Sequence, residues 1–405
     1  MTEGSHPRPL LRGVVAVAFA VVVTALGGMP IWVLSAFAPR IQEELGFDSA
    51  GLGLAIGCFF AFSALVSLPT GRFVDRLGWR KGVAFTGAVA AASLLGVALL
   101  GNGWILLVLL LCIGSVSNSS SQPAGNLAIA ASIPVRRQGL AFGIKQAALP
   151  IATFVVGLSV PLFAMGRDWR GAFATAGIIG IVLLVAALVE RWFRAPSEPR
   201  RRGRWKKGMD AEAHVVPVPR VKVPRALVLL AIGAGFGTAA TISLGGFLVT
   251  FAVDRGFSIE QGGQLLALGS LVGIVSRIFS GYRADKRGRR HLVAVAVMMV
   301  GGSAGLFLFA LFDSVPMLIA GTVLAFGLGW GWNGVLHLAV ARYSTIPLGA
   351  ATSVVQTAMS LGAAIGPITF GLLAAIAFPA AWAAAGAVLA CGAVFILLGR
   401  RALSR

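Results

Sequence analysis

Twelve long apolar runs, separated by short polar stretches, constrain this chain more than any other feature. A hydrocarbon layer ~30 Å thick needs about 20 apolar residues in a helix to cross it. The first run spans Val14 to Ala38. Eleven more follow near 50–70, 83–101, 104–133, 139–165, 170–190, 226–252, 261–281, 291–312, 315–342, 348–376 and 379–399. Composition agrees, with 57% hydrophobic and only 12% charged residues, against about 25% charged in a soluble domain. A larger core does not explain the deficit, because larger cores still need a polar surface. The expected fold class is an all-α membrane protein with 12 transmembrane helices. Short connections make successive helices antiparallel.

The end of the first run, Ala36-Phe37-Ala38, suits a signal-peptidase site. The run is longer than the 7–15 residues of a typical signal core, and Pro39 would follow the cut. It is therefore read as a retained first helix. The stretch from Arg191 to Arg225 has no apolar periodicity, is rich in Pro, Arg and Lys, and contains Arg200-Arg201-Arg202-Gly203-Arg204-Trp205-Lys206-Lys207. It divides the chain into a six-helix unit at 1–190, a basic linker at 191–225 and a second six-helix unit at 226–405.

The net charge of +20 raises nucleic-acid binding, and its distribution argues against that. All but six of the 34 Lys and Arg fall at the termini, in the linker or in alternate loops. The six are Arg40, Lys145, Arg167, Arg170, Arg255 and Arg277. Such asymmetry sets membrane topology, with the basic side cytoplasmic. Both termini and the linker are expected there, with the lipid bilayer as partner and no nucleic acid. Cys58, Cys112 and Cys391 lie in or at apolar runs at no metal-ligand or disulfide spacing. They read as small core residues, and no metal or cofactor is implied.

The chain is also duplicated. Gly71-Arg72-Phe73-Val74-Asp75-Arg76-Leu77-Gly78-Trp79-Arg80-Lys81 returns 210 residues later as Gly281-Tyr282-Arg283-Ala284-Asp285-Lys286-Arg287-Gly288-Arg289-Arg290. The same offset pairs Gly46-Phe47 with Gly256-Phe257, Gly139 with Gly349, Ala141 with Ala351 and Gln146 with Gln356. One register across several landmarks marks an internal repeat.

Twelve helices in a 6+6 duplication, a basic central linker and a Gly-x-x-x-Asp-Arg/Lys-x-Gly-x-Arg/Lys loop in each half resemble the major facilitator superfamily over the whole chain. The resemblance implies a bacterial inner-membrane transporter, commonly monomeric. Its small-molecule site would lie near the midplane between two rocking six-helix bundles. It also implies that the loop is a latch on the cytoplasmic side, carried here by Gly71, Asp75, Arg76, Gly78, Arg80, Gly281, Asp285, Lys286, Gly288 and Arg289. On physical grounds Gly71 and Gly281 are expected to end their helices. Asp75 and Asp285 are expected to cap the next element or pair with neighbouring arginines. A carboxylate adds little to topology, so its presence in both copies favours the latch over a purely topogenic cluster.

Ionisable groups inside a membrane span are functional candidates by default. None of the 14 Asp and Glu falls mid-run, whereas Lys145 and Arg277 do. Lys145 is expected about six residues into its helix and Arg277 near the last turn of its own. Long stems would let both reach the cytoplasmic interface instead, and Arg277 has Asp285 as an alternative partner. Two buried cations without a buried carboxylate point to an organic anion, moved by uniport, symport or exchange. Arg277, four residues before Gly281, is similar to the eighth-helix arginine of the oxalate/formate antiporter and the monocarboxylate transporters, which implies contact with a substrate carboxylate. The antiporter's second cation, a lysine in the eleventh helix, is absent here, where Val355-Gln356-Thr357 stands.

The candidate substrate residues are Lys145, Gln146, Arg277, Asn333, His337 and Gln356. Asn333 and His337 are four apart on one helix face. His337 is the candidate for a coupling proton, because it alone among the buried groups titrates near neutrality. The polar cluster Asn118 to Gln122 with Asn126 is read as interhelical hydrogen bonding. Pro150, Pro161 and Pro367 are placed to kink their helices. The competing readings are proton-driven efflux of a neutral or lipophilic compound, a non-transporting receptor, and a membrane enzyme. No nucleophile and base share a motif that supports the last.

Overall fold

A computed structural model describes residues 9–164, 168–192, 223–286, 291–343, 346 and 348–403, without the side chains of 9–12, 135–140, 164, 190–192, 281–286, 341 and 348–349. The fold is built of helices α1 (Pro9–Leu45), α2 (Ser49–Leu77), α3 (Trp79–Leu100), α4 (Trp104–Ser132), α5 (Val135–Gln146), α6 (Ala148–Ala164), α7 (Trp169–Trp192), α8 (Arg225–Asp254), α9 (Ile259–Lys286), α10 (His291–Leu311), α11 (Val315–Leu324), α12 (Trp332–Tyr343), α13 (Leu348–Ala374) and α14 (Phe378–Leu403). The pairs α5–α6 and α11–α12 each make one broken span, the second through a π-helical turn at Ala325–Gly329. Twelve spans result, each long and apolar enough to cross a membrane. Large apolar side chains such as Leu65, Leu162 and Ile376 stand on the outside, as a lipid-facing surface requires.

The repeat register is visible in the turns. Gly46 and Gly256 both take positive φ, at 68° and 83°. That region suits a residue without Cβ. Phe47 N donates to Gln42 O, and Phe257 N to Ala252 O, at the same 210-residue offset. The following residues cap the next helices. Asp48 accepts from Gly51 N at 2.9 Å, and Ser258 and Gln261 form a reciprocal capping box. One expectation is corrected here. Neither Gly71 nor Gly281 ends its helix, since α2 continues to Leu77 and α9 to Lys286. Gly78, at φ 77°, makes the turn into α3.

The end of the molecule carrying the Gly78 turn is called the basic end below, and the opposite end the far end. The N-terminal helices pack as α1 on α4 and α6, and α3 on α4 and α7. The C-terminal helices pack as α8 on α13 and α14, and α10 on α14. Two seams join the sets. α2 meets α13 where a Cβ on Gly53 would strike the Pro367 carbonyl, and one on Gly371 the Ser49 carbonyl. α6 meets α9 where a Cβ on Gly157 would lie 2.7 Å from Gly263 O and 2.8 Å from Ala267 N. Thr153 and Ser270 hydrogen-bond across the second seam at 2.8 Å. Both seams lie in the far half. Toward the basic end, Gly71, Gly78 and Gly143 have nothing within 4 Å of a built Cβ. The two seams bring the helix sets into backbone contact in the far half.

At Gly362 in α13 a Cβ would lie 2.9 Å from Gly235 C and 3.2 Å from Ala239 N, both backbone atoms of α8. Backbone cannot yield as a flexible side chain does. Gly362→Val should therefore lower the unfolding temperature in detergent by several degrees, in line with an overpacking cost of ~1–3 kcal/mol or more. Gly143→Ala, in open space, should leave it unchanged. Equal melting of the two variants would contradict the close α8–α13 approach.

Candidate functional site

Four candidate residues share one level. Gln146 lies eighteen residues before Ala164, and Gln356 eighteen before Ala374. Arg277 lies eighteen after Ile259, and Asn333 eighteen after Val315. At ~1.5 Å per residue each sits about 27 Å from the far end of its span. Gln146 and Gln356 are exposed, as polar side chains at that depth are when they line an accessible cleft. Arg277 is more than two turns before the end of α9, deeper than the last-turn placement expected.

The local geometry around Arg277 follows from two helix breaks. Pro150 has no N–H, so the carbonyl four residues earlier lacks its helical donor. That carbonyl belongs to Gln146, and the helix breaks there. Arg277 Nη1 donates to Gln146 O at 2.8 Å. On the other side, the π turn loosens the carbonyls of its span. Ser276 Oγ donates to Gly327 O, and Arg277 Nη2 to Trp330 O at 3.4 Å. The guanidinium thus ties the N-terminal helices to the C-terminal ones through neutral carbonyls. Its Cζ lies 5.8 Å from the Trp330 ring centroid. Trp330 in turn meets Trp32 of α1 edge to face at 5.9 Å. The guanidinium fork has five N–H donors, and Arg277 Nε is buried without a partner, as are Trp32 Nε1 and Asn333 Oδ1.

Lys145 is placed differently. It is 2% exposed and points in among the N-terminal helices, neither into the cleft nor out to the interface. Its Nζ donates to Gln122 Oε1 and Asn126 Oδ1, both at 2.6 Å, and to Gln122 O at 3.3 Å. Gly125 makes room for it, since a Cβ there would lie 3.1 Å from Lys145 Cε. Gln122 and Asn126 are four apart and so share one face of α4. That spacing was the available signal for pairing them with a buried cation. His337 Nδ1 lies 3.0 Å from the Asn333 carbonyl of its own helix.

The remaining polar cluster bonds between or within helices. Asn118 Nδ2 donates to Ser63 Oγ at 2.9 Å, and Ser120 pairs with Thr86 at 2.8 Å. Trp32 and Ser276 had no signal in sequence, because their roles depend on tertiary contacts. The described carboxylates with ion-pair partners sit at the far end. Glu44 holds Arg170 at 2.6 Å and Trp169 Nε1 at 2.5 Å, and Asp313 pairs with Arg255. Of the latch candidates, Asp75 and Arg76 are exposed, and Arg80 stacks on Trp79 at 4.8 Å. Gly281, Asp285 and Lys286 fall at the end of α9, where side chains are not described. Gly288 and Arg289 lie outside the described residues, as does most of the basic linker.

A model of the Major Facilitator Superfamily matches residues 20–345. An "Uncharacterized MFS-type transporter" of Mycobacterium tuberculosis is 26% identical, over 86% of this chain and 76% of its own length. The "Probable sulfoacetate transporter" of Cupriavidus necator is 23% identical, over 84% of this chain and 82% of its own. The gallate transporter of Pseudomonas putida is 24% identical, over 75% and 72%. Among solved structures, a bacterial homolog to the human lysosomal transporter Spinster superposes with a TM-score of 0.72. It covers 99% of this chain and 97% of its own at 17% identity, which is likeness of fold.

Pro150→Ala would return an N–H that competes for the Gln146 carbonyl. In a double-mutant cycle with Arg277→Gln, read by thermal unfolding, the two changes should be non-additive by about 1 kcal/mol or more. Either variant alone loses the same charged hydrogen bond. Strictly additive effects would show that the two groups act separately.

Proposed function

The chain belongs to the Major Facilitator Superfamily, and from that premise we propose that it carries a small organic anion bearing a carboxylate, by alternating access between two six-helix bundles. As a member of that superfamily it is a multi-pass membrane transporter and not an enzyme. In this reading α1–α7 and α8–α14 are the rocking units and the basic end faces the cytoplasm of a bacterial cell. The conformation described above is then open inward.

The observation that carries the substrate class is the state of Arg277. It is a positive charge between the units and, among the described residues, it donates to the neutral carbonyls of Gln146 and Trp330. Its Nε donor has no partner, and a carboxylate would meet the fork in two parallel hydrogen bonds. Gln146, Asn333 and Gln356, at the same depth, supply neutral donors and acceptors for the rest of the molecule. The anions named for two relatives, sulfoacetate and gallate, are small carboxylates and fit the same chemistry.

The test is flux in proteoliposomes. Wild-type protein should exchange internal for external radiolabelled gallate or sulfoacetate. Arg277→Gln, folded by its elution and melting profile, should lose about tenfold to a hundredfold in rate at low substrate. That range corresponds to ~1.4–2.8 kcal/mol of lost binding. Arg277→Lys should retain part of the rate. Flux by Arg277→Gln equal to wild type would sink the assignment.

A further inference from the structure

We propose that Lys145 is the site at which this transporter binds its coupling proton, in a cage of neutral amides that accepts the amine in both of its charge states. The inference rests on the organic-anion reading above and adds the ion that drives it.

The cage is unusual in what it lacks. The ammonium of Lys145 has three N–H donors and finds three acceptors, Gln122 Oε1, Gln122 O and Asn126 Oδ1. None is charged. Residues packed around its stem are Ala20 and Thr24 of α1 and Gly125 of α4, also neutral. The only titratable group on α4 is Cys112, ten residues from Gln122. The described charges of α1, at Arg40, Glu43 and Glu44, begin sixteen residues beyond Thr24, and α6 has none. The side chains of Arg12, Arg136 and Arg137 are not described. No negative charge within the cage therefore opposes loss of the proton.

A carboxylate cage would hold only the ammonium, because a carboxylate can only accept. A primary amide carries both an acceptor oxygen and a donor NH₂. Rotating the Gln122 or Asn126 amide by half a turn would present an N–H to the lone pair of a neutral amine. Both protonation states can then be satisfied within one backbone arrangement. The proton also has a route. Asn126 is exposed and touches Nζ, so the cage borders accessible space on one side only. Thr24 Oγ1, beside it, is buried without a partner and is free to serve either state.

The charge balance supports coupling. With Lys145 neutral and the site empty, Arg277 leaves the interior at +1. Binding one proton at Lys145 and one monovalent anion at Arg277 leaves it at +1 again. Loaded and empty carriers then present the same net charge to the hydrocarbon, where each uncompensated charge is costly. Gln146, whose carbonyl holds Arg277, is the next residue in the chain, so the two sites adjoin.

The experiment reconstitutes full-length wild type and Lys145→Gln and follows radiolabelled gallate and sulfoacetate in two modes. Under an inward proton gradient, wild type should accumulate at least one of the anions, and Lys145→Gln should lose that accumulation by tenfold or more. In counterflow at equal pH, Lys145→Gln should keep half or more of the wild-type rate. Gradient-driven accumulation by Lys145→Gln within twofold of wild type would overturn the proposal, as would wild-type accumulation that ignores the gradient. Failure of wild-type counterflow with both anions would instead overturn the organic-anion reading, and the proposal with it. A second measurement does not depend on that variant. In lightly buffered detergent solution, wild type should take up about one proton per anion bound, read with an indicator dye. Lys145→Arg, whose guanidinium keeps its proton, should take up none. Anion binding by wild type without proton uptake would also overturn the proposal.

Discussion

A backbone carbonyl without a helical donor is the constraint on which this architecture turns. In hydrocarbon, each unsatisfied polar backbone group costs several kcal/mol, so a broken helix survives only where something else pairs the freed groups. Pro150 frees the carbonyl of Gln146, and the π turn at Ala325–Gly329 loosens those around Trp330. Two adjacent residues of α9, Ser276 and Arg277, satisfy both sets of groups. The breaks in the fifth and tenth spans are thus not independent defects. They face a common partner, and that partner is a cation at the boundary between the two helix sets.

Seams of glycine explain why the cation can sit there. The far-end contacts of α2 with α13 and of α6 with α9 bring backbone against backbone, at Gly53, Gly371, Gly157 and Gly263. Such contacts leave no room for side chains and so no room for water. The Trp32–Trp330 pair continues the seal inward. Carboxylates that could neutralise the interior are held outside it, with Glu44 and Asp313 paired to cations of the far-end loops. The interior spans are left cationic, with Lys145 and Arg277 inside them. An apolar seal above an uncompensated positive charge is an arrangement that an anion completes.

Much of this was legible in the residues. The twelve runs appear as twelve spans, and the 210-residue register reappears in the matched positive φ of Gly46 and Gly256 and in the caps that follow them. Pro150 announced a kink by its missing N–H. The rest depended on contacts that no local pattern encodes. Gly71 resembles a helix stop but has helical backbone, and the turn to positive φ that ends α2 occurs at Gly78. Sequence offers Arg277 a substrate carboxylate, lipid headgroups or Asp285, and not the main-chain carbonyls of distant segments that it meets here. Lys145 lies deeper than the apolar run implies, because its helix begins at Val135, within a basic stretch that hydropathy excludes.

The two interior cations are not interchangeable, and the difference follows from their shapes. A planar guanidinium with diverging donors reaches carbonyls on two separate helices at once and stays charged, as a permanent tie and anion receptor across a seam must. An ammonium is a compact point charge that fits beside Gly125 and draws its acceptors from one face of one helix. Placed at the seam, a lysine could span fewer groups. Placed in the amide cage, an arginine could not give up its proton. The duplication supplied two symmetric bundles, and this asymmetry of charge divides the work between them. On the proposed reading, one bundle holds the fixed charge that meets the anion, and the other holds the charge that can change.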